Sequence, residues 1–113
     1  MGALEKFREM GLSEQILEAL ERKGFEEPSA IQSATIPLLL RGEKDVIGQA
    51  QTGTGKTAAF GIPIIERLTG HKGHVQALVL VPTRELGIQV AEELNSLKGG
   101  KKLEVMAVYG GQD

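Results

Sequence analysis

The sequence predicts an α/β fold, a parallel sheet with flanking helices, and three observations predict it. Short apolar runs at 46–50, 75–81 and 103–109 alternate with stretches of helical periodicity, and strands separated by helices imply βαβ units with right-handed crossovers. The 113 residues suffice for one domain and not for two. With 41% hydrophobic and 25% charged residues the composition is that of a globular chain with a packed core, not of a disordered one.

Each element has its own signal. Residues 13–24 read as a helix with Ser13 as N-cap, an apolar stripe of Ile16, Leu17 and Leu20, and Gly24 at its end. A second helix starts at Ser29 after Pro28, turns Ile31 and Ile36 inward, is disturbed by Pro37 and ends near Gly42. The first strand, 46–50, runs into a loop rich in Gly and Thr, followed by an apolar helical stretch to about Leu68. A strand at 75–81, a helix through Gln89 and Leu97, and a strand at 103–109 complete the order. The Gly- and Lys-rich segments 69–74 and 98–102 read as loops, and Lys98, Lys101 and Lys102 as a solvated basic run. There is neither an internal repeat nor a low-complexity tract.

Charge and composition exclude several classes. Thirteen basic residues against fifteen acidic ones give −2, so no global positive field steers the chain toward nucleic acid. Residues 1–27 carry seven Glu against four Lys or Arg, and 28–113 carry eight acids against nine bases, so any anion contact belongs to the second part. Zero Cys excludes a disulfide framework, a thiolate metal site and a Cys nucleophile, and fits a reducing, cytoplasmic setting. No apolar run nears the roughly 20 residues of a membrane-spanning helix, and the N-terminus lacks a signal-peptide pattern, so no membrane partner is expected. His71 and His74 lie in a loop with no ligand at metal spacing, and read as solvated.

The sharpest signal is AQTGTGKT at 50–57, which follows an apolar strand and opens a helix, the setting a Walker A phosphate loop requires. Gly53 and Gly55 let the backbone turn tightly so that successive N–H groups along Gln51, Thr52, Gly53, Thr54 and Gly55 point inward at phosphate oxygens, and the helix N-terminus adds its positive end. Lys56 would reach the β- and γ-phosphates and the Thr57 hydroxyl would complete a Mg²⁺ shell, so these two are the catalytic candidates and Thr57 the metal candidate. Ala50 replaces the first Gly of the generic pattern. The plain alternative is a Gly-rich turn with an exposed Lys. The acid that usually ends a neighbouring strand and organises metal and water is absent: 75–81 runs into Pro82-Thr83-Arg84, and 103–109 into Gly110-Gly111-Gln112.

Upstream lies GFEEPSAIQ at 24–32, with Phe7 seventeen residues before Gly24; downstream lie PTRELGIQ at 82–89 and Gly110-Gly111. In order and spacing these resemble the Q motif (about 7–32), motif I (50–57), motif Ia (82–89) and GG element (110–111) of DEAD-box RNA helicases, a resemblance that spans essentially the whole chain. Gly87 stands where the family more often has Ala.

The resemblance implies that residues 1–113 are the N-terminal portion of the first RecA-like domain of an ATP-dependent RNA helicase, stopping before the DEAD and SAT motifs and the second domain. ATP and Mg²⁺ would be the cofactors. Gln32 would read adenine, since a carboxamide donates and accepts at once, and Phe25 would stack on the base, with Phe7 packing the motif in place. Pro82, Thr83, Arg84, Gly110 and Gly111 would contact RNA phosphates and sugars without reading sequence. The plainer roles are core packing for Phe7 and Phe25, a helix-surface amide for Gln32, and a capped helix start for Arg84 and Glu85. Two other functions stay open: another P-loop NTPase or kinase, and a non-catalytic ATP-binding fragment. By the same resemblance the strand at 46–50 is flanked by strands that come later in the chain, so this segment alone is expected to self-associate through open sheet edges.

Overall fold

The computed structural model describes residues 4–42, 45–50, 55–68 and 73–111. Among them five helices form: α1 (Glu5–Glu9), α2 (Glu14–Arg22), α3 (Ala30–Arg41), α4 (Lys56–Arg67) and α5 (Arg84–Leu97). The sequence reading missed α1, a single short turn that carries the fully buried Phe7.

The ends of α2 show how local chemistry fixes the chain path. Ser13 occupies the N-cap position with extended backbone, but its hydroxyl makes no cap bond and is buried without a partner among the described residues. Its backbone N–H donates to Glu66 Oε1 of α4 at 2.8 Å, a tertiary contact that fixes the helix start although the expected hydroxyl cap does not form. At the other end Gly24 takes φ +82°. The Gly24 N–H donates to the Glu21 carbonyl and the Phe25 N–H to the Leu20 carbonyl, each at 3.0 Å, the paired bonds of a Schellman motif. The chain turned this way delivers Phe25 to Phe7, ring edge to ring face, with centroids 6.0 Å apart at 64°.

Helix α3 begins with a complete capping box: Ser29 Oγ accepts from the Gln32 N–H, and Gln32 Oε1 accepts from the Ser29 N–H. It continues through Pro37 to a left-handed Gly42. The expected disturbance is absorbed because the carbonyl that Pro37 leaves without a helical donor belongs to Ser33, on an exposed turn where water can serve it.

Helices α3 and α5 pack on α4, and α2 packs on α5. Their shared core contains Phe7, Ile16, Leu20, Ile36, Ile62 and Leu97, each fully buried. Gly61 permits the α4–α5 approach, since an added Cβ there would lie 2.6 Å from Leu94 Cδ2. Lys23 ties α2 to α5, its ammonium 2.8 Å from both Glu93 Oε1 and Ser96 Oγ.

The three expected strands carry neither helix nor ladder among the described residues. Strand character survives in the burial of 103–109. Leu103 is buried and Val105, Ala107 and Tyr109 are half-buried, while Glu104, Met106 and Val108 between them are exposed. Val79, Val81 and Val105 pack against the helical core. Their other faces are bare: Ile47 is 100% exposed, Leu80 86% and Val108 82%. A parallel sheet is stable when both faces are covered, and here only one is.

The basic run at 98–102 also differs from expectation. Lys101 Nζ donates to the carbonyls of Ile65, Glu66 and Leu68 at 2.6, 3.1 and 2.9 Å, which neutralises the orphan acceptors at the end of α4. Lys98 Nζ donates to the Leu103 carbonyl at 2.7 Å. Only Lys102 of the three is solvated as expected.

Candidate functional site

Gly55 is the N-cap of α4, at φ +82° and ψ +29°, and Lys56 and Thr57 are its first helical residues. Lys56 is exposed and Thr57 half-buried, so the ammonium stands in solvent at the positive end of a twelve-residue helix. Gln51, Thr52, Gly53 and Thr54 lie outside the described residues.

The most informative contact joins this helix start to α3. Gln32 is 4% exposed, and its carboxamide bridges two elements: Oε1 accepts from the Ser29 N–H at 3.0 Å while Nε2 donates to the Gly55 carbonyl at 3.3 Å. The Gly55 carbonyl also accepts from the Ala59 N–H at 3.1 Å, the first bond of α4. A side chain at Gly55 would collide with Gln32 Nε2, so the left-handed backbone and the close approach both require glycine. The sequence treated Gln32 as a base-reading or surface amide; neither reading anticipated that it caps its own helix and holds the phosphate-loop helix. The S-x-x-Q spacing at Ser29 and Gln32 was the available signal for the cap. A carboxamide has two N–H donors and two acceptor lone pairs. Among the described residues the two contacts use one of each and leave one of each.

Phe25 is half-buried against Phe7 and the helical core, and the turn at Gly24 places it four residues ahead of the Ser29 cap. Motif order along the chain thus takes the form of two linked sets, Phe7 with Phe25 and Ser29 with Gln32 and Gly55, joined by the short segment 26–28.

The second group of candidates gathers at the other end of α5. Thr83 Oγ1 accepts from the Leu86 N–H at 3.1 Å and caps the helix, which commits that hydroxyl to structure. Pro82, Thr83 and Arg84 are exposed, as are Gly110 and Gly111. The Arg84 guanidinium lies over the Tyr109 ring, 5.2 Å from its centroid, bringing the start of α5 beside the Gly pair. Gly110 has neither a positive φ nor any atom that an added Cβ would meet, so among the described residues nothing within the chain requires its lack of a side chain. At Gly87 an added Cβ would lie 3.3 Å from Val81 Cγ2, so the Ala expected there would press on the 75–81 segment. Among the described residues no group of His, Asp or Glu is placed to hold a metal ion, and His74 is exposed. None of the described helices is long and apolar enough to cross a membrane.

The chain resembles known proteins along most of its length. It is 60% identical over 107 residues to a DEAD-box ATP-dependent RNA helicase CshA of Geobacillus kaustophilus, covering 95% of this chain and 23% of that protein. It is 57% identical over 110 residues to an ATP-dependent RNA helicase CshA of Listeria monocytogenes, covering 97% and 21%. The chain therefore spans less than a quarter of these curated relatives. Among solved structures, a DEAD box protein from Methanococcus jannaschii superposes with a TM-score of 0.90 at 50% identity, over 95% of this chain and 29% of that one. S. cerevisiae Dbp5 bound to RNA and ADP BeF3 superposes with a TM-score of 0.77 at 38% identity, over 81% and 24%. These likenesses bear out the α/β class, as the RecA-like fold, even where the strand segments here lack ladders. Residues 29–113 match the DEAD/DEAH box helicase profile; that is 85 of the 113 residues, and the chain belongs to that family.

Proposed function

We propose that this chain is an adenine-selective nucleotide-binding segment of an ATP-dependent RNA helicase, acting in the cytoplasm, and that hydrolysis and local duplex separation belong to the longer protein of which it is similar to about a quarter. The observation that carries this reading is the Gln32 bridge. One side chain caps α3 and holds the carbonyl at the start of the phosphate-loop helix, so a base seated against Gln32 lies next to the element that grips phosphate.

The residues fit ATP and Mg²⁺. Gln32 keeps a donor and an acceptor, the pair that adenine's N7 and N6-amino edge requires and that guanine would mispair. Phe25 presents an aromatic ring for stacking. By their motif, residues 51–55 would supply backbone N–H groups, Lys56 a mobile positive charge, and Thr57 a hydroxyl for the metal. Bound Mg²⁺ neutralises phosphate charge; the chain's own part is to orient the nucleotide through the loop and Lys56. RNA would lie across Pro82, Thr83, Arg84, Gly110 and Gly111. The support there is the exposure of all five and the unoccupied space at Gly110, which lets a sugar-phosphate backbone approach closely. Few cations line this path, so binding is weak, indifferent to sequence and shallow in its salt dependence. The bare apolar face of the 46–50, 75–81 and 103–109 segments makes the isolated chain self-associate.

Titration calorimetry of ATP and GTP against the chain tests the nucleotide reading. ATP binding tighter than GTP is expected; equal affinity for the two would overturn it. The chain alone should release no phosphate in response to RNA, whereas a longer polypeptide carrying this segment should do so in a manner abolished by Lys56→Ala.

A further inference from the structure

We infer that Tyr109 is a positioning residue for RNA: its ring holds the Arg84 guanidinium at the head of α5 so that the start of motif Ia and the Gly pair face one ligand strand together. The inference rests on the proposed RNA path and assigns a role to a residue that the motifs themselves leave out.

The geometry is built by the packing of the 103–109 segment along α5. Lys98 Nζ reaches the Leu103 carbonyl, and Asn95 Nδ2 reaches the Val105 carbonyl at 3.5 Å, so the segment advances toward the N-terminus of α5 as α5 is followed backward. Six strand steps cover about 20 Å, and thirteen helical steps cover about the same distance. The segment therefore meets the helix start at its own end, where Tyr109, on the inward alternation with Leu103 and Val105, lies under Arg84.

A ring centroid 5.2 Å from the guanidinium carbon is within cation–π range. Arg84 is otherwise an exposed, rotamer-rich side chain at a helix start. Ring contact removes part of the entropy that a free guanidinium loses when it pairs with a phosphate, and its planar fork stays available for two parallel bonds. Tyr109 is followed directly by Gly110 and Gly111, the first with open space at its Cβ position and the second at φ +82°. One ring thus sets the spacing between a cation and a stretch of backbone that a strand can approach.

The test is fluorescence anisotropy of a labelled ten-nucleotide oligouridylate, titrated at low salt with the 113-residue chain and five variants, each checked by circular dichroism for unchanged helix content. Tyr109→Leu should weaken binding about threefold, the scale of an exposed cation–π contact, while Tyr109→Phe, which keeps the ring, should bind as the unsubstituted chain does. Arg84→Lys, at an exposed position where folding is not at stake, should match Tyr109→Leu because it keeps the charge and loses the planar stack. In an Arg84→Ala background Tyr109→Leu should cost nothing further. Arg84→Ala without effect would overturn the RNA path itself. Arg84→Ala weakening the complex while Tyr109→Leu and Arg84→Lys leave it unchanged would overturn only the positioning role, as would an equal Tyr109→Leu loss in both backgrounds.

Discussion

The helices around the Gln32 bridge and the three extended segments differ in how completely they are closed. On the helical side the backbone ends are answered from nearby residues or a packed neighbour: a capping box at Ser29, a Schellman turn at Gly24, the Lys101 ammonium at the end of α4. Its core side chains Phe7, Ile16, Leu20, Ile36, Ile62 and Leu97 are fully buried. The extended side is closed on one face only, with Val79, Val81 and Val105 against the helices and Ile47, Leu80 and Val108 in the open. Helices satisfy their backbone within a few residues, whereas strands and sheet faces need partners distant in the chain. The described residues proposed to hold the nucleotide are held almost wholly by the first kind of contact.

The largest expected effect is on association. Exposed apolar side chains along three segments offer a second copy a surface that water disfavours, so the chain should scatter light as an oligomer at micromolar concentration. Combined Leu80→Lys and Val108→Lys should shift it toward monomer, and a monomer already in the unsubstituted chain would show that this face is not open. Next is the core: Ile62→Ala should cost about 2–5 kcal/mol in urea denaturation, whereas Leu80→Ser should stay within about 0.5 kcal/mol under conditions that suppress association. Equal costs would erase the distinction between the two regions. Gly61→Ala comes third, at about 1–3 kcal/mol, because the new methyl meets Leu94 across the α4–α5 contact. Gly24→Ala should lower stability by about 1–2 kcal/mol through its left-handed backbone, with no clash to relieve.

The same divide governs how much the sequence disclosed. Helices from Ser29 and from the phosphate loop were legible because their signals are local: Pro28 before the cap, Gly42 after the end, an apolar period between. The segments at 75–81 and 103–109 were legible as short apolar runs, yet pairing depends on what lies across from each strand, which a run of residues does not encode. Lys101 looked like a loop cation because its acceptors sit more than thirty residues away on α4. Gln32 was legible as a site residue from its motif, but its bond to Gly55 depends on the packing of α3 against α4. Ser13 shows the reverse case, a correct local position whose hydroxyl makes no cap bond while its backbone N–H is held by Glu66 of α4.

The central claim is that a single carboxamide joins base recognition to the phosphate loop. Calorimetry of Gln32→Ala against ATP and GTP, beside the unsubstituted chain, tests it most directly. Losing a bidentate base contact should weaken ATP by about 1–3 kcal/mol, and GTP should change less, so that the preference for ATP collapses. ATP and GTP weakened by the same amount, with their ratio intact, would show that Gln32 serves only the scaffold of α3 and α4, and would contradict the claim.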